Sequence, residues 1–162
     1  MKLDRIDLKI LETLQREGRI AKARLAERVG LSASPCWERL RRLEAAGYIA
    51  GYRAEVDIGR LGPVTVVFME VTLGSHEAAD FNRFEAAMRD APAVLECHSV
   101  GGGFDYLLKV VTRDVDGYQR LVDDLLAADI GISKYFSYIV TRRVKEMSGW
   151  PIAQLVADGD GR

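Results

Sequence analysis

The chain has 162 residues, a net charge of −1 and ordinary shares of apolar and charged residues, which excludes a disordered chain and argues against a generic polyanion binder. Residues 1–50 carry 11 Lys/Arg against 7 Asp/Glu, whereas residues 51–162 carry 12 against 17. This asymmetry predicts that any nucleic-acid contact lies in the first third. Because there is no signal peptide and no apolar run long enough for a bilayer, we expect a cytoplasmic protein without membrane contact.

The first thirty residues predict two helices. Apolar residues recur at helical spacing from Asp4 to Glu17, and Gly18 ends that run. A shorter helix is predicted over residues 22–29, although Ala21 stands where a capping Ser or Thr would contribute about 1 kcal/mol.

A third helix carries start and stop signals and two unlike faces. Ser32 or Ser34 is suited to cap its first turn, Pro35 suits that turn, and Gly47 suits the position past its end. The helical period places Cys36, Leu40 and Leu43 on one side and Ser34, Glu38, Arg41 and Arg42 on the other. Such a polar face is what the DNA major groove accepts; the alternative is the solvated face of an ordinary amphipathic helix. With the second helix and the turn at residues 30–32, it predicts a helix-turn-helix.

Two short β stretches about Gly51 are predicted within residues 48–57, as the wing of a winged helix followed by a linker. The Gly- and Pro-containing run 59–63 marks a domain boundary.

The remaining chain predicts an antiparallel sheet with two helices on one face. The predicted order is strand 64–73, helix 77–89, strands 94–100 and 104–112, a helix capped by Asp114, and strand 135–144. This βαββαβ order is that of a ferredoxin-like sandwich. Because strands 64–73 and 135–144 are apolar on both sides, we expect a partner subunit to cover the open face. Residues 150–152 are expected to pack near the core, and residues 158–162 to form a loose tail.

The ordered set of motifs resembles the leucine-responsive/AsnC family of transcription regulators over about residues 2–148. The residues on which this resemblance rests are Leu3–Asp7, Ile10–Leu11, Leu25–Ser32, Ser34–Cys36, Arg39–Glu44, Gly47–Ile49, Glu96–Cys97, Gly101 and Asp105–Val110. The resemblance implies an α+β chain with a winged helix-turn-helix over 1–62, a RAM/ACT-like ferredoxin sandwich over 63–148, and a C-terminal tail over 149–162. It also implies that the sandwich dimerises, assembles into octamers and senses amino acids.

Candidate DNA contacts cluster on the third helix. Ser34 and Glu38 lie nearest the base edges, and Arg41 suits a guanine or a phosphate. Arg39, Arg42 and Arg53 are placed for phosphates, while Glu38 has the alternative of pairing with Arg42. The ring of Trp37 is expected on the wing or the phosphate backbone. The full set is Ser32, Ser34, Pro35, Trp37, Glu38, Arg39, Arg41, Arg42 and Arg53.

Candidate effector contacts surround the three consecutive glycines. The Gly101–Gly103 turn brings backbone N–H groups close to a carboxylate, and Asp105 beside it suits an α-ammonium group. The resemblance places the effector here, between dimers, with the last strand across the cleft. The alternative is a hairpin turn in which Asp105 only organises its own backbone. The full set is Gly101, Gly102, Gly103, Asp105, Tyr106, Ser137 and Tyr138.

Enzymatic and metal chemistry have little support in the sequence. His76 and His98 have no ligand partner at metal spacing, and adjacent Cys97 and His98 on a strand point to opposite faces. No convergent acid/base set is present, so we expect neither an enzyme nor a bound cofactor, and Cys36 and Cys97 are expected to be reduced.

The sequence predicts a regulator that binds operator DNA under the control of an amino-acid-type effector. Its rivals are a small-molecule enzyme on a ferredoxin-like fold and a ligand-sensing module that acts through protein partners. The runs 34–37 and 135–140 resemble the family branch linked to breakdown of ectoine or similar nitrogenous solutes. Branches responding to leucine, cysteine or proline remain open.

Overall fold

The computed structural model describes residues 2–147 and 149–159, which form two compact units. The described residues up to Val56 and those from Lys145 onward belong to one unit, called here the reader unit. Asp57–Val144 is the second, called the sandwich unit. The reader unit therefore contains both ends of the described chain, whereas the sequence alone set residues 149–162 apart as a tail.

The reader unit begins with helix α1, Arg5–Arg16, whose start is fixed by a reciprocal pair of aspartates. The Asp4 carboxylate accepts hydrogen bonds of 2.9 Å from the N–H groups of Ile6 and Asp7. The Asp7 carboxylate in turn accepts one of 3.2 Å from the N–H of Asp4. This capping box satisfies the N–H groups that a helix leaves unpaired in its first turn.

Helix α2, Lys22–Val29, has the predicted bounds and, as Ala21 predicts, no side-chain cap. Helix α3, Ala33–Ala45, starts after Ser32, but neither serine hydroxyl caps it, so that detail of the prediction is wrong. Its far end is as predicted: Gly47 has φ +76°, and the Tyr48 N–H donates to the Leu43 carbonyl at 3.0 Å. The three helices bury a core of Ile10, Leu11, Leu25, Ala26, Val29, Cys36, Leu40 and Leu43.

The sandwich unit confirms the predicted βαββαβ order. A 3₁₀ turn at Ile58–Arg60 precedes β1 Thr65–Leu73, α4 Ala78–Asp90, β2 Val94–Ser99, β3 Tyr106–Thr112, α5 Val115–Ala127 and β4 Ile132–Ile139. The strands form one antiparallel sheet in the order β2-β3-β1-β4. The predicted cap is also present, since the Asp114 carboxylate accepts from the Gly117 N–H at 2.7 Å. The core under α4 and α5 includes Val67, Met69, Val71, Phe84, Tyr106, Leu108, Val110 and Val122.

Two strand predictions are wrong. The sequence predicts the last strand over 135–144, whereas β4 begins at Ile132 and ends at Ile139. Its neighbour β1 begins at Thr65, and the last backbone bond between them runs from the Val140 N–H to the Val66 carbonyl at 2.9 Å. Residues 141–144 therefore have no strand to pair with.

The segment 48–57 likewise forms no strand, although two β stretches were predicted there. Its Tyr52 hydroxyl donates to the Glu44 carboxylate on α3 at 2.8 Å. The segment is thus tied to a helix, and a two-stranded hairpin alone is marginal in water.

The C-terminal segment adds a helix that was not predicted, α6, Ile152–Gly159. Ile152 packs against the reader core as expected, but the Trp150 side chain is 65% exposed. The predicted loose tail overlaps the end of this helix at Asp158 and Gly159, and residues 160–162 lie outside the described residues. The spacing of Ile152, Leu155 and Val156 after Pro151 was the available signal.

Candidate nucleic-acid interface and effector site

The outward face of α3 has the predicted composition. Ser34, Glu38 and Arg41 are exposed, while Cys36, Leu40 and Leu43 are buried beneath them. Ser32 and Pro35 are exposed at the start of the helix, and Arg53 is exposed within the segment 48–57. The helix therefore presents short polar groups and a guanidinium outward from an apolar anchor, as major-groove readers do.

Arg39 and Arg42 are held by acids of α1 instead of standing free for phosphates. Arg39 Nη1 donates to Asp4 Oδ2 at 2.6 Å and to Asp7 Oδ1 at 2.8 Å. Arg42 Nη2 donates to both carboxylate oxygens of Asp7, at 3.1 and 3.0 Å. The Arg42 pairing considered in the sequence was with Glu38, but its acid partner in the structure is Asp7.

The charges of this network reinforce one another. The Asp7 N–H and then the Arg39 guanidinium hold the pKa of Asp4 below its usual range. The hydrogen bonds that Arg39 donates, first to Asp4 and then to Asp7, raise the pKa of Arg39. Asp4 and Arg39 are therefore both stabilised in their charged forms.

Trp37 contacts α2. The Lys22 Nζ lies 3.3 Å from the centroid of the indole ring, a cation–π contact. No sequence pattern indicated Lys22, and Asp4 and Asp7 were indicated only as acids suited to a helix start.

The Gly101–Gly103 turn is exposed, and a Cβ added at any of the three glycines would meet nothing within 4 Å. The turn is bounded by a 2.9 Å hydrogen bond from the Val100 N–H to the Asp105 carbonyl. The space beside each glycine Cα, where a side chain would stand, is therefore empty.

Asp105 makes contacts beyond its own turn. Its Oδ2 accepts from the Leu73 N–H at the end of β1, at 2.8 Å, and its Oδ1 lies 3.0 Å from His76 Nε2. The His76 ring stacks on Phe81, with centroids 5.8 Å apart. The carboxylate is thus fixed in place, with a backbone N–H on one oxygen and the His76 imidazole on the other.

The other predicted effector residues lie on different faces of the sheet. Tyr106 is buried on the helix side, and its hydroxyl donates to Glu85 at 3.0 Å. Ser137 also faces the helices, where its hydroxyl meets that of Tyr118. Tyr138 is exposed on the open face, in register with Phe68. Since β1 lies between β3 and β4, one chain does not bring all seven residues into one pocket.

Burial dominates the tyrosine ionisation in the sandwich unit. Desolvation, with the Glu85 hydrogen bond second, raises the pKa of Tyr106 to about 12. Desolvation also raises the pKa of Tyr118. Both phenols are therefore neutral hydrogen-bonding groups at physiological pH.

A cavity of about 460 Å³ lies between α4 and the edge strand β2 and was not foreseen. Its lining is mixed: the Glu85–Arg89 ion pair, Glu96, Cys97, Ser99 and Tyr106 alternate with Met88, Val94 and Leu95. Tyr106 therefore does lie at a cavity, but one on the helix side of the sheet. Cys97 and Cys36 are both free thiols whose pKa is raised by burial.

Two features are absent from residues 2–147 and 149–159. No helix there is long and apolar enough to cross a membrane. No group of three His, Cys, Asp or Glu side chains in those ranges is arranged to hold a metal ion.

Comparison with protein-family models matches both units. A winged helix-turn-helix DNA-binding model matches residues 3–50, and an Lrp/AsnC ligand binding domain model matches residues 66–150.

Similar proteins and structures agree with those models. The transcriptional regulatory protein DoeX of Halomonas elongata is 55% identical over 148 residues, covering 91% of this chain and 94% of that protein. The leucine-responsive regulatory protein of Escherichia coli K12 is 42% identical, covering 89% and 88%. The solved AsnC family transcriptional regulator from Agrobacterium tumefaciens has a TM-score of 0.89 and 32% identity, covering 94% and 99%. The regulator NMB0573 of Neisseria meningitidis, solved with L-Met, has a TM-score of 0.89 and 33% identity, covering 95% and 99%.

These matches confirm the resemblance found in the sequence and the expectation of a regulator in place of an enzyme. The chain belongs to the Lrp/AsnC family of transcription regulators.

Proposed function

We propose that the protein binds specific operator DNA through α3 and that an amino-acid-type effector in the sandwich unit modulates this binding. The observation that carries the proposal is the α3 face, where Ser34, Glu38 and Arg41 are exposed above a buried apolar stripe. Arg41 is the direct candidate for a guanine or phosphate contact. Arg53, Trp37 and the acid-held Arg39 and Arg42 flank it as backbone contacts.

An amino acid is the ligand class that suits the Gly101–Asp105 turn. The exposed glycines offer backbone N–H groups for a carboxylate, and Asp105 offers a carboxylate for an ammonium if the His76 ring moves away from it. The leucine-responsive name of one relative and the L-Met bound to a similar structure support this class. We further propose that the target genes serve amino-acid or nitrogenous-solute metabolism, and that the protein acts in the cytoplasm.

The open face of the sheet supports a homodimer. Phe68, Phe136 and Tyr138 are large and exposed there, and soluble monomers rarely leave such a patch uncovered. We propose that a second copy covers this face and that dimers assemble further, to an octamer as in the family. Ser137 and Tyr138 would then contribute from β4 across an interface between copies.

The test is binding of the purified protein to its own upstream DNA, at fixed salt, with and without a panel of amino acids. Fixed salt is required because phosphate contacts release counterions and make affinity steeply salt dependent. Arg41→Glu should abolish the specific complex, while Arg113→Glu, an exposed reversal in the sandwich unit, should leave it intact. The alternative is a sensing module that acts through protein partners; it predicts no specific complex in the unaltered protein.

A further inference from the structure

Among the described residues, Asp7 is the one charged residue whose side chain is buried, with 1% of its surface exposed. Burying a carboxylate is costly unless charged donors surround it. Here the donors are Arg39 and Arg42 of α3 and the N–H of Asp4. The ion cluster therefore connects the start of α1 to the DNA-facing helix.

The two arginines use their guanidinium groups differently. Arg39 is 26% exposed, and its Nη1 contacts both Asp4 and Asp7, so it chiefly fastens α3 to α1. Arg42 is 51% exposed and contacts Asp7 through Nη2 alone. Because a guanidinium has five N–H donors, Arg42 retains donors for a phosphate or a base while one of its edges is fixed.

We propose that Asp7 is a positioning residue for DNA recognition: it holds the Arg42 guanidinium in one orientation on the outward side of α3. The inference rests on the proposed DNA binding. A side chain fixed before binding loses less conformational freedom in the complex. As a phosphate contact in a fixed orientation, Arg42 would set the register of α3 on the DNA, which favours the site whose base edges then meet Arg41. Non-specific binding needs only the positive charge, so it gains little from that orientation.

The test compares affinities for the upstream DNA and for a scrambled duplex over a range of salt concentrations. Asp7→Asn should lower the ratio of specific to non-specific affinity by about tenfold, because the orienting contact is lost while Arg42 keeps its charge. The non-specific affinity should stay the same or increase, since one negative charge is removed near the phosphates. Glu12→Gln removes the same charge elsewhere on α1 and should leave the ratio unchanged.

A double-mutant cycle shows whether Asp7 acts through Arg42. Arg42→Gln alone should lower the specific affinity, and adding Asp7→Asn should lower the ratio no further, because the two share one contact. A purely structural role for Asp7 predicts instead that both affinities fall together. Parallel loss, an unchanged ratio or additive effects in the cycle would each overturn the inference.

Folding of each variant is checked by thermal unfolding. Should Asp7→Asn not fold, Asp7→Glu retains the charge but displaces the carboxylate by one methylene and should also lower the ratio; an unchanged ratio overturns the inference. The two levels of proposal fail differently. An unaltered protein without specific binding contradicts the proposed function, whereas specific binding that is indifferent to Asp7 contradicts this inference alone.

Discussion

The side-chain amide of Gln15 forms two hydrogen bonds with the backbone of Trp150. Its Nε2 donates to the Trp150 carbonyl at 3.2 Å, and its Oε1 accepts from the Trp150 N–H at 2.6 Å. Ile152 follows into the reader core. The reader unit therefore includes residues that follow the sandwich unit in the sequence.

Gly149→Ala should loosen this attachment. Gly149 has φ +123°, and an added Cβ would lie 3.0 Å from Gln15 Oε1. We expect a loss of at least about 1 kcal/mol in the free energy of unfolding of the reader unit, from backbone strain together with the broken contact. Urea denaturation followed by circular dichroism measures it. Gly18→Ala, where a Cβ would meet only the Leu14 carbonyl at 3.6 Å, is the matched control. Equal stability of the two variants would contradict the prediction.

Tyr106→Phe should cost about 1 kcal/mol, the net contribution of a hydrogen bond, because Glu85 keeps Arg89 as a partner. Burial raises the pKa of Tyr106 from 10.0 to about 12. The stability that this shift contributes is fully present below the unfolded-state pKa and is lost as the pH rises through the folded-state value. The variant should therefore be less sensitive to pH between 10 and about 12 than the unaltered protein. Urea titrations at several alkaline pH values test this, and identical pH profiles would refute it.

Glu96 should contribute stability that disappears in acid. The Lys109 ammonium, at 2.7 Å, and then His98 hold the pKa of the Glu96 carboxyl below its ordinary value. Such a group stabilises the fold above the unfolded-state pKa, and the contribution is lost as the pH falls through the lower folded-state value. Because Glu96 is 45% exposed, we expect less than about 1 kcal/mol at neutral pH. Glu96→Gln should therefore lower the temperature of thermal unfolding at pH 7 and leave it unchanged near pH 2. An equal decrease at both pH values would count against a stabilising ion pair.

Phe136→Glu should disrupt the proposed dimer. Phe136 is 49% exposed on the open face of the sheet, in register with Glu70 of β1. A new carboxylate there would be desolvated by a covering subunit and would lie beside another acid. Sedimentation velocity should show a shift to smaller species. Val115→Glu, an equally drastic change at an exposed site in the first turn of α5, should leave assembly unchanged. A Phe136→Glu protein that assembles normally would place the interface elsewhere.

The sequence alone was sufficient to predict those features that depend on interactions between residues close together in the chain. The bounds of α2, the Asp114 cap and the end of α3 near Gly47 follow from apolar spacing and from capping residues within a few positions. The βαββαβ order follows likewise, since strand and helix periods differ. Because these features depend on residues that are neighbours in the sequence, they can be predicted from the sequence.

Only the tertiary structure decided which partners distant residues meet. Arg39 and Arg42 have the composition of phosphate contacts, but Asp7 lies 32 and 35 residues away and its pairing with them depends on how α1 packs on α3. The end of β4 was set by the length of β1, and the attachment of residues 149–152 by Gln15, 135 residues earlier than Trp150. A charged or extended segment has several local options of similar free energy, and long-range packing selects among them.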